Sequence, residues 1–83
     1  MKRYWFTFEK LERPSPLSFG CGVTAHDYQD ALAIMRDSVF QGHAPPIKDV
    51  VEDVDVSRLE AKHVLPNLGN VLIRGIWFPL GYE

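Results

Sequence analysis

Hydrophobic and polar positions alternate in two stretches of the first 25 residues. Residues 3–10 place aromatic side chains at every second position, and residues 17–25 place apolar residues between small or polar ones. Because successive side chains of a strand point to opposite faces, each stretch predicts a β-strand. Pro14 and Pro16 cannot donate a ladder hydrogen bond, so they predict a loop between the two strands.

Two glycines share one face of the second predicted strand. Gly20 and Gly22 leave bare backbone there, which weakens a strand unless another side chain packs on it. We hypothesise that Trp5 lies across both glycines. In that case Trp5→Ala costs as much as a core deletion, ~3–5 kcal/mol.

An amphipathic helix is predicted over residues 27–41. Asp27 is a good N-cap, and Asp30 supplies an acid near the positive end of the helix. Gly42 and the prolines after it are suited to end the helix. The apolar stripe consists of Tyr28, Ala31, Leu32, Met35 and Val39.

The second half of the chain predicts two more strands. Residues 47–56 are rich in valine, although Glu52 breaks the alternation and indicates an edge strand or a bulge. Residues 71–78 form the fourth predicted strand. The order β-β-α-β-β predicts an α+β fold in a single domain over residues 1–83, with a small, mostly antiparallel sheet and the helix on one face.

The strands carry more large apolar side chains than one helix can cover. The first and fourth predicted strands are apolar on both faces, which is typical of strands that are covered on both. The connection 57–70, a partner chain or a ligand must therefore cover the second face. If a partner covers it, the residue types enriched at interface hot spots form the contact surface. These residues are Trp5, Arg74, Trp77 and Tyr82.

Charge and composition narrow the classes of function. The formal net charge is −2 and the 9 Lys and Arg residues are scattered, so nucleic-acid binding is not expected. One cysteine excludes an intramolecular disulfide and a cysteine-rich zinc site. No apolar run reaches the ~20 residues of a membrane span, and the start of the chain does not resemble a signal peptide. We expect no membrane association and a cytoplasmic location.

Four polar residues are the candidates for a chemical site. Asp53 and Asp55 share one face of the third predicted strand, and His63 and Asn67 follow in the next connection. If they converge, they predict a metal-dependent, hydrolytic or small-molecule site. The competing interpretation is that the acids protect an edge strand and pair with Arg74 or Lys48.

Other reactive residues give no recognisable pattern. The spacing of His26, His43 and His63 with Cys21 matches no zinc motif. Cys21 falls on the apolar face of the second strand, so we expect a buried, unreactive thiol. The chain therefore lacks a candidate nucleophile. We expect no cofactor and favour an interaction domain or a homodimer over an enzyme.

Three segments of the second half of the chain resemble a known group of proteins. They are 50–55, 63–67 and 74–79, with the sequences VVEDVD, HVLPN and RGIWFP. The chain resembles, mainly over residues 50–79, a family of small bacterial domains with no established activity. The resemblance implies a bacterial origin. Independently of it, residues 63–67 are interpreted as a lid whose Val64 and Leu65 close the core, or alternatively as a recognition loop.

Overall fold

A computed structural model describes residues 1–9, 15–40 and 45–80. These ranges contain four strands and one α-helix, and a π-helical turn at Arg36–Phe40 continues the helix. In chain order these elements are β1 (Lys2–Phe8), β2 (Cys21–Ala25), α1 (Tyr28–Met35), β3 (Ile47–Glu52) and β4 (Gly75–Phe78).

The four strands form one antiparallel sheet in the order β3-β1-β2-β4. Tyr4 pairs with Val23 of β2 and with Glu52 of β3, so β1 lies between two strands that run in the same direction. This arrangement confirms the predicted small α+β fold.

The helix begins as predicted and covers one face of the sheet. Asp27 Oδ1 accepts a hydrogen bond of 2.8 Å from the Asp30 backbone N–H, and Asp30 accepts one of 3.0 Å from the His26 N–H. The predicted helix end at Gly42 lies outside the described residues. The buried core on this face consists of Tyr4, Phe6, Cys21, Val23, Ala25, Ala31, Met35 and Ile76.

The opposite face of the sheet is covered by the connection between β3 and β4. Residues 53–74, here called the covering segment, bring Val54 and Val64 against the sheet. Partly buried residues of the same segment complete this second core; they are Val56, Leu59, Leu68 and Val71. Of the three candidates for covering this face, which were the connection, a partner chain and a ligand, the structure contains the connection.

Three strands are shorter than predicted. β3 ends at Glu52 and not at Val56, because Asp53 has a φ of 60° and turns the chain. β2 begins at Cys21, because Pro16–Ser18 forms a 3₁₀ turn capped by Ser15. β4 begins at Gly75, after a turn. The interpretation of Glu52 as an edge position is confirmed, since β3 is an outer strand.

The two glycines of the second predicted strand are each covered by a tryptophan. A Cβ on Gly20 would lie 2.6 Å from Trp5, as expected, whereas a Cβ on Gly22 would lie 2.3 Å from Trp77. The hypothesis that Trp5 covers both was therefore half right. Without side chains at these positions the two indole rings can approach the sheet backbone closely.

Candidate functional site

The predicted hot-spot residues do not form one exposed surface. Trp5 and Trp77 stack with ring centroids 5.9 Å apart, and they keep only 8% and 0% of their side-chain exposure. A partner could touch them only after the covering segment moved. Arg74 is exposed at the start of α1, and Tyr82 lies outside the described residues.

Arg74 joins the end of the covering segment to the N-terminus of the helix. Its Nε donates a 2.9 Å hydrogen bond to Asp30 Oδ2, and Nη2 donates to Oδ1 of the same carboxylate. This bidentate pair, together with the His26 N–H, holds the pKa of Asp30 well below its usual range. The expectation that Arg74 pairs with Asp53 or Asp55 was wrong.

The four predicted polar-site residues fall into two separate places. Asp55 caps the 3₁₀ turn Val56–Arg58: its Oδ1 accepts from Ser57 Oγ at 2.7 Å and from Ser57 N at 3.1 Å. These bonds lower the pKa of Asp55. Asp53 is exposed at the end of β3. His63 and Asn67, in contrast, both line a cleft to which neither acid contributes.

Metal binding therefore gains no support from the acids. Within the ranges 1–9, 15–40 and 45–80, no group of three or more His, Cys, Asp or Glu side chains is placed to hold a metal ion. The reason is the shortened third strand. Because the chain turns at Asp53, the two aspartates no longer share a strand face.

The cleft has a volume of about 390 Å³ and is built from three distant parts of the chain. The capped turn before β2 forms one wall, the covering segment forms the second, and the chain leaving β4 forms the third. Most of its lining atoms belong to apolar or aromatic side chains. The lining residues are Ser15, Pro16, Phe19, His63, Asn67, Phe78, Pro79 and Leu80.

His63 is a polar residue of the cleft whose ring contacts both a carboxylate and an aromatic ring. Its Nδ1 lies 2.6 Å from Glu60 Oε2, and its ring stacks on Phe19 with centroids 4.9 Å apart. Glu60 also accepts hydrogen bonds from the backbone N–H groups of Lys62 and His63. The bond to the His63 imidazole and these backbone bonds lower the pKa of Glu60. Asn67 Nδ2 donates to the His63 carbonyl at 2.7 Å. The imidazole thus has two contacts, one with the carboxylate of Glu60 and one with the ring of Phe19.

Sequence reasoning missed most of the cleft. Phe19 was assigned to the core face of a strand, but the turn at Pro16–Ser18 leaves it 38% exposed. A signal was present, because Pro16 follows a serine with another serine three residues on, which is a capping pattern for a helical turn. Glu60, which holds His63 through its carboxylate, was not among the predicted site residues.

The remaining reactive residues are placed as their positions suggested. Cys21 is buried in the core on the helix face, and burial raises the pKa of its thiol to about 12. The expectation of a buried thiol is therefore confirmed. His26 belongs to the start of the helix through its backbone N–H. His43 lies outside the described residues.

Comparisons of the chain with models of protein families, with curated proteins and with solved structures found no match. The resemblance to a family of small bacterial domains stays a prediction. None of the helices in the described part of the chain has the length and apolarity needed to cross a membrane.

Proposed function

We propose that this chain is a non-enzymatic protein-interaction domain whose contact surface is the cleft beside Phe19. The occupant is an apolar side chain of a protein partner, or of a second copy of the chain, inserted between Phe19, His63 and Leu80. The expected cytoplasmic location and bacterial source belong to the same proposal. A net charge of −2 favours a protein partner over nucleic acid.

The observation that carries the proposal is the exposure of large apolar groups around a preformed cleft. Phe19 and Leu80 remain 38% and 46% exposed although both line the cleft. Aromatic and aliphatic groups of this kind gain most from burial against a partner, at about 25 cal/mol per Å² of apolar surface. The cleft is also close to the lower end of the ~300–1,000 Å³ range typical of ligand sites.

Polar groups at the rim suit recognition of a peptide backbone. Ser15 and Asn67 line the cleft beside its apolar groups, and Asn67 is held by the His63 carbonyl. A few oriented hydrogen-bonding groups beside an apolar pocket are the usual composition of a specific interface. His63, fixed by Glu60 and Phe19, adds a flat surface for an apolar or aromatic side chain.

Site-specific photo-crosslinking in cells tests this proposal. A photoreactive amino acid is placed at Phe19 and, as a matched exposed control, at Leu72, which is 73% exposed and does not line the cleft. We expect a discrete adduct from position 19 only. Adding Leu80→Glu to the chain that carries the photoreactive residue at position 19 should abolish this adduct, and circular dichroism checks that the double variant is folded. An adduct of twice the chain mass identifies a second copy.

No adduct from position 19, or the same adducts from positions 19 and 72, would contradict the proposal. An adduct that survives Leu80→Glu would do so as well, because the cleft would then not be the contact.

A second candidate function is binding of a small molecule by the imidazole of His63. The pair formed by Glu60 and His63 favours it, because a carboxylate that orients a histidine is a common arrangement for proton transfer or for hydrogen bonding to a ligand. This candidate retains His63 and Asn67 from the sequence prediction and replaces the two aspartates by Glu60.

Fragment screening by NMR distinguishes the two candidates. Polar fragments that bind through the imidazole lose binding in His63→Gln and keep it in His26→Gln, a histidine that does not line the cleft. If purely apolar fragments bind equally well to both variants, the imidazole is not the binding group and the first candidate is retained.

A further inference from the structure

The covering segment is bounded by two residues with unusual backbone conformation. Asp53, just after β3, has a φ of 60°, and it is the one non-glycine residue with a positive φ in the described ranges. Gly75, at the start of β4, has a φ of 138°. Both ends of the segment therefore have a backbone conformation that few residue types adopt, and hinges are formed by a few residues in loops or at the ends of elements.

In the described ranges, hydrogen bonds join the covering segment to the rest of the fold only near its two ends. At the first end the Val54 N–H donates to the Arg3 carbonyl at 3.0 Å. At the second end the Gly69 N–H donates to the Trp77 carbonyl at 2.7 Å, and Thr24 Oγ1 donates to the Val71 carbonyl at 2.6 Å. Both ends are thus tied to the sheet by direct polar contacts.

The middle of the segment, residues 55–67, is tied only to itself. Among the described residues, every hydrogen bond made by this stretch has its partner in the same stretch. Glu60 is the centre of these bonds: its carboxylate accepts from Lys62 and His63, and its carbonyl accepts from Val64 and Leu65. These bonds form two adjoining groups, residues 55–59 and residues 60–67, and neither group is bonded to another described part of the chain.

Apolar contacts and one ring stack hold the middle of the segment on the sheet. Val64 is fully buried against the tryptophans, Val56 and Leu59 are partly buried, and His63 stacks on Phe19. Under the segment, Trp77 Nε1 and Arg3 Nε are buried without a hydrogen-bond partner in the part of the chain that the structure describes. Opening of the segment would expose both donors to solvent.

We propose that residues 55–67 open as a unit while the sheet and the helix-face core stay folded. Opening uncovers the stacked Trp5 and Trp77 as an aromatic surface. It also removes His63 and Asn67 from the cleft wall, so an occupant of the cleft favours the closed form. The inference goes beyond the proposed function and does not depend on it, because opening is a property of the chain alone.

Two thiols on opposite faces of the sheet test the opening directly. Val64→Cys is close in size to the original side chain and places a thiol under the segment, whereas the native Cys21 is buried in the helix-face core. Each thiol is labelled with iodoacetamide under native conditions, and each rate is divided by the rate at the same thiol in denaturant. We expect the protection at position 64 to be at least about tenfold lower than at Cys21, as for local opening.

A second variant reports which contacts hold the segment closed. His63→Ala removes the ring stack on Phe19 and the bond to Glu60. We expect it to speed labelling at Val64→Cys severalfold and to leave labelling of Cys21 unchanged. His26→Ala, on the helix side, is the control and changes neither rate.

Hydrogen exchange of the unmodified chain gives an independent reading if Val64→Cys disturbs the core. The amides of Arg58, Leu59, Val64 and Leu65 are compared with amides of β1 and β2. Equal protection and equal denaturant dependence in the two groups would overturn the proposal, as would equal protection of the two thiols. Both results would mean that the segment leaves the sheet only when the whole chain unfolds.

Discussion

At Gly22 an indole ring lies closer to the position of an added Cβ than at any other glycine for which the structure gives a distance. A Cβ there would lie 2.3 Å from Cζ3 of Trp77, a fully buried side chain that cannot move aside. We expect Gly22→Ala to lower the free energy of unfolding by about 2–3 kcal/mol, the upper part of the range for overpacking of a well-packed core. Urea unfolding monitored by circular dichroism measures the change.

Gly69→Ala is the matched control. Its Cβ would meet its nearest atoms at 3.4 Å, an ordinary contact, so the free energy of unfolding should change by less than about 1 kcal/mol. Equal losses in the two variants would show that the close packing of Trp77 on Gly22 is not the cause.

Trp5 tests the other half of the tryptophan pair. It stacks on Trp77, packs against Phe78 with ring centroids 5.6 Å apart, and covers Gly20. We expect Trp5→Ala to cost ~3–5 kcal/mol, and Trp5→Phe, which keeps a ring, to cost clearly less. A loss below 1 kcal/mol for Trp5→Ala in the same unfolding measurement would contradict the packing described for this face.

At the scale of the elements, the link between the helix start and the covering segment responds to pH. Arg74 and the His26 N–H lower the pKa of Asp30, so the folded state favours the ionised carboxylate. The resulting stabilisation is complete above the ordinary aspartate pKa of about 3.9 and is lost as the pH falls toward the lower folded value. Asp30→Asn should therefore have a lower Tm than the parent chain at pH 7, and the difference in Tm should disappear on acidification.

Asp37→Asn is the control for this pH dependence, since Asp37 has no ion pair with any described residue. Its Tm should follow that of the parent chain from pH 7 to pH 2. If the difference between Asp30→Asn and the parent chain stays constant over that range, the bond to Arg74 does not stabilise the fold.

The elements could be predicted from the sequence where local chemistry decides them. Asp27 and Asp30 mark the helix start because capping needs only neighbouring backbone groups, and the alternation of aromatic residues marks β1. The ends of β3 and β4 could not be predicted. They depend on Asp53 adopting a positive φ and on the covering segment packing under Trp77, which are consequences of the whole fold.

The candidate site was predictable only in part for the same reason. His63 and Asn67 were named because they are polar residues in an apolar stretch, and both line the cleft. Phe19 and Leu80 come from the other two walls, far away in sequence, and no spacing rule connects them with residues 63–67. Asp53 and Asp55 were misplaced because the predicted strand was too long.

For the whole molecule, the way the second sheet face is covered determines where an interaction surface can lie. The aromatic surplus of β1 and β4 predicted that something covers this face, and the covering segment is the cover that the structure contains. The tryptophans are therefore core residues in the closed chain. An interaction surface must either lie elsewhere, as at the cleft, or appear only when residues 55–67 open.

This cover is tested most directly by nuclear Overhauser effects. They are measured between the indole protons of Trp5 and Trp77 and the methyl groups of Val64 and Leu59. In a dilute sample that sedimentation shows to be monomeric, we expect strong effects whose intensity does not change on dilution, since all four residues belong to the second core. Effects that vanish on dilution, or that arise only between differently labelled copies, would show that another chain covers the tryptophans and would contradict the arrangement described here.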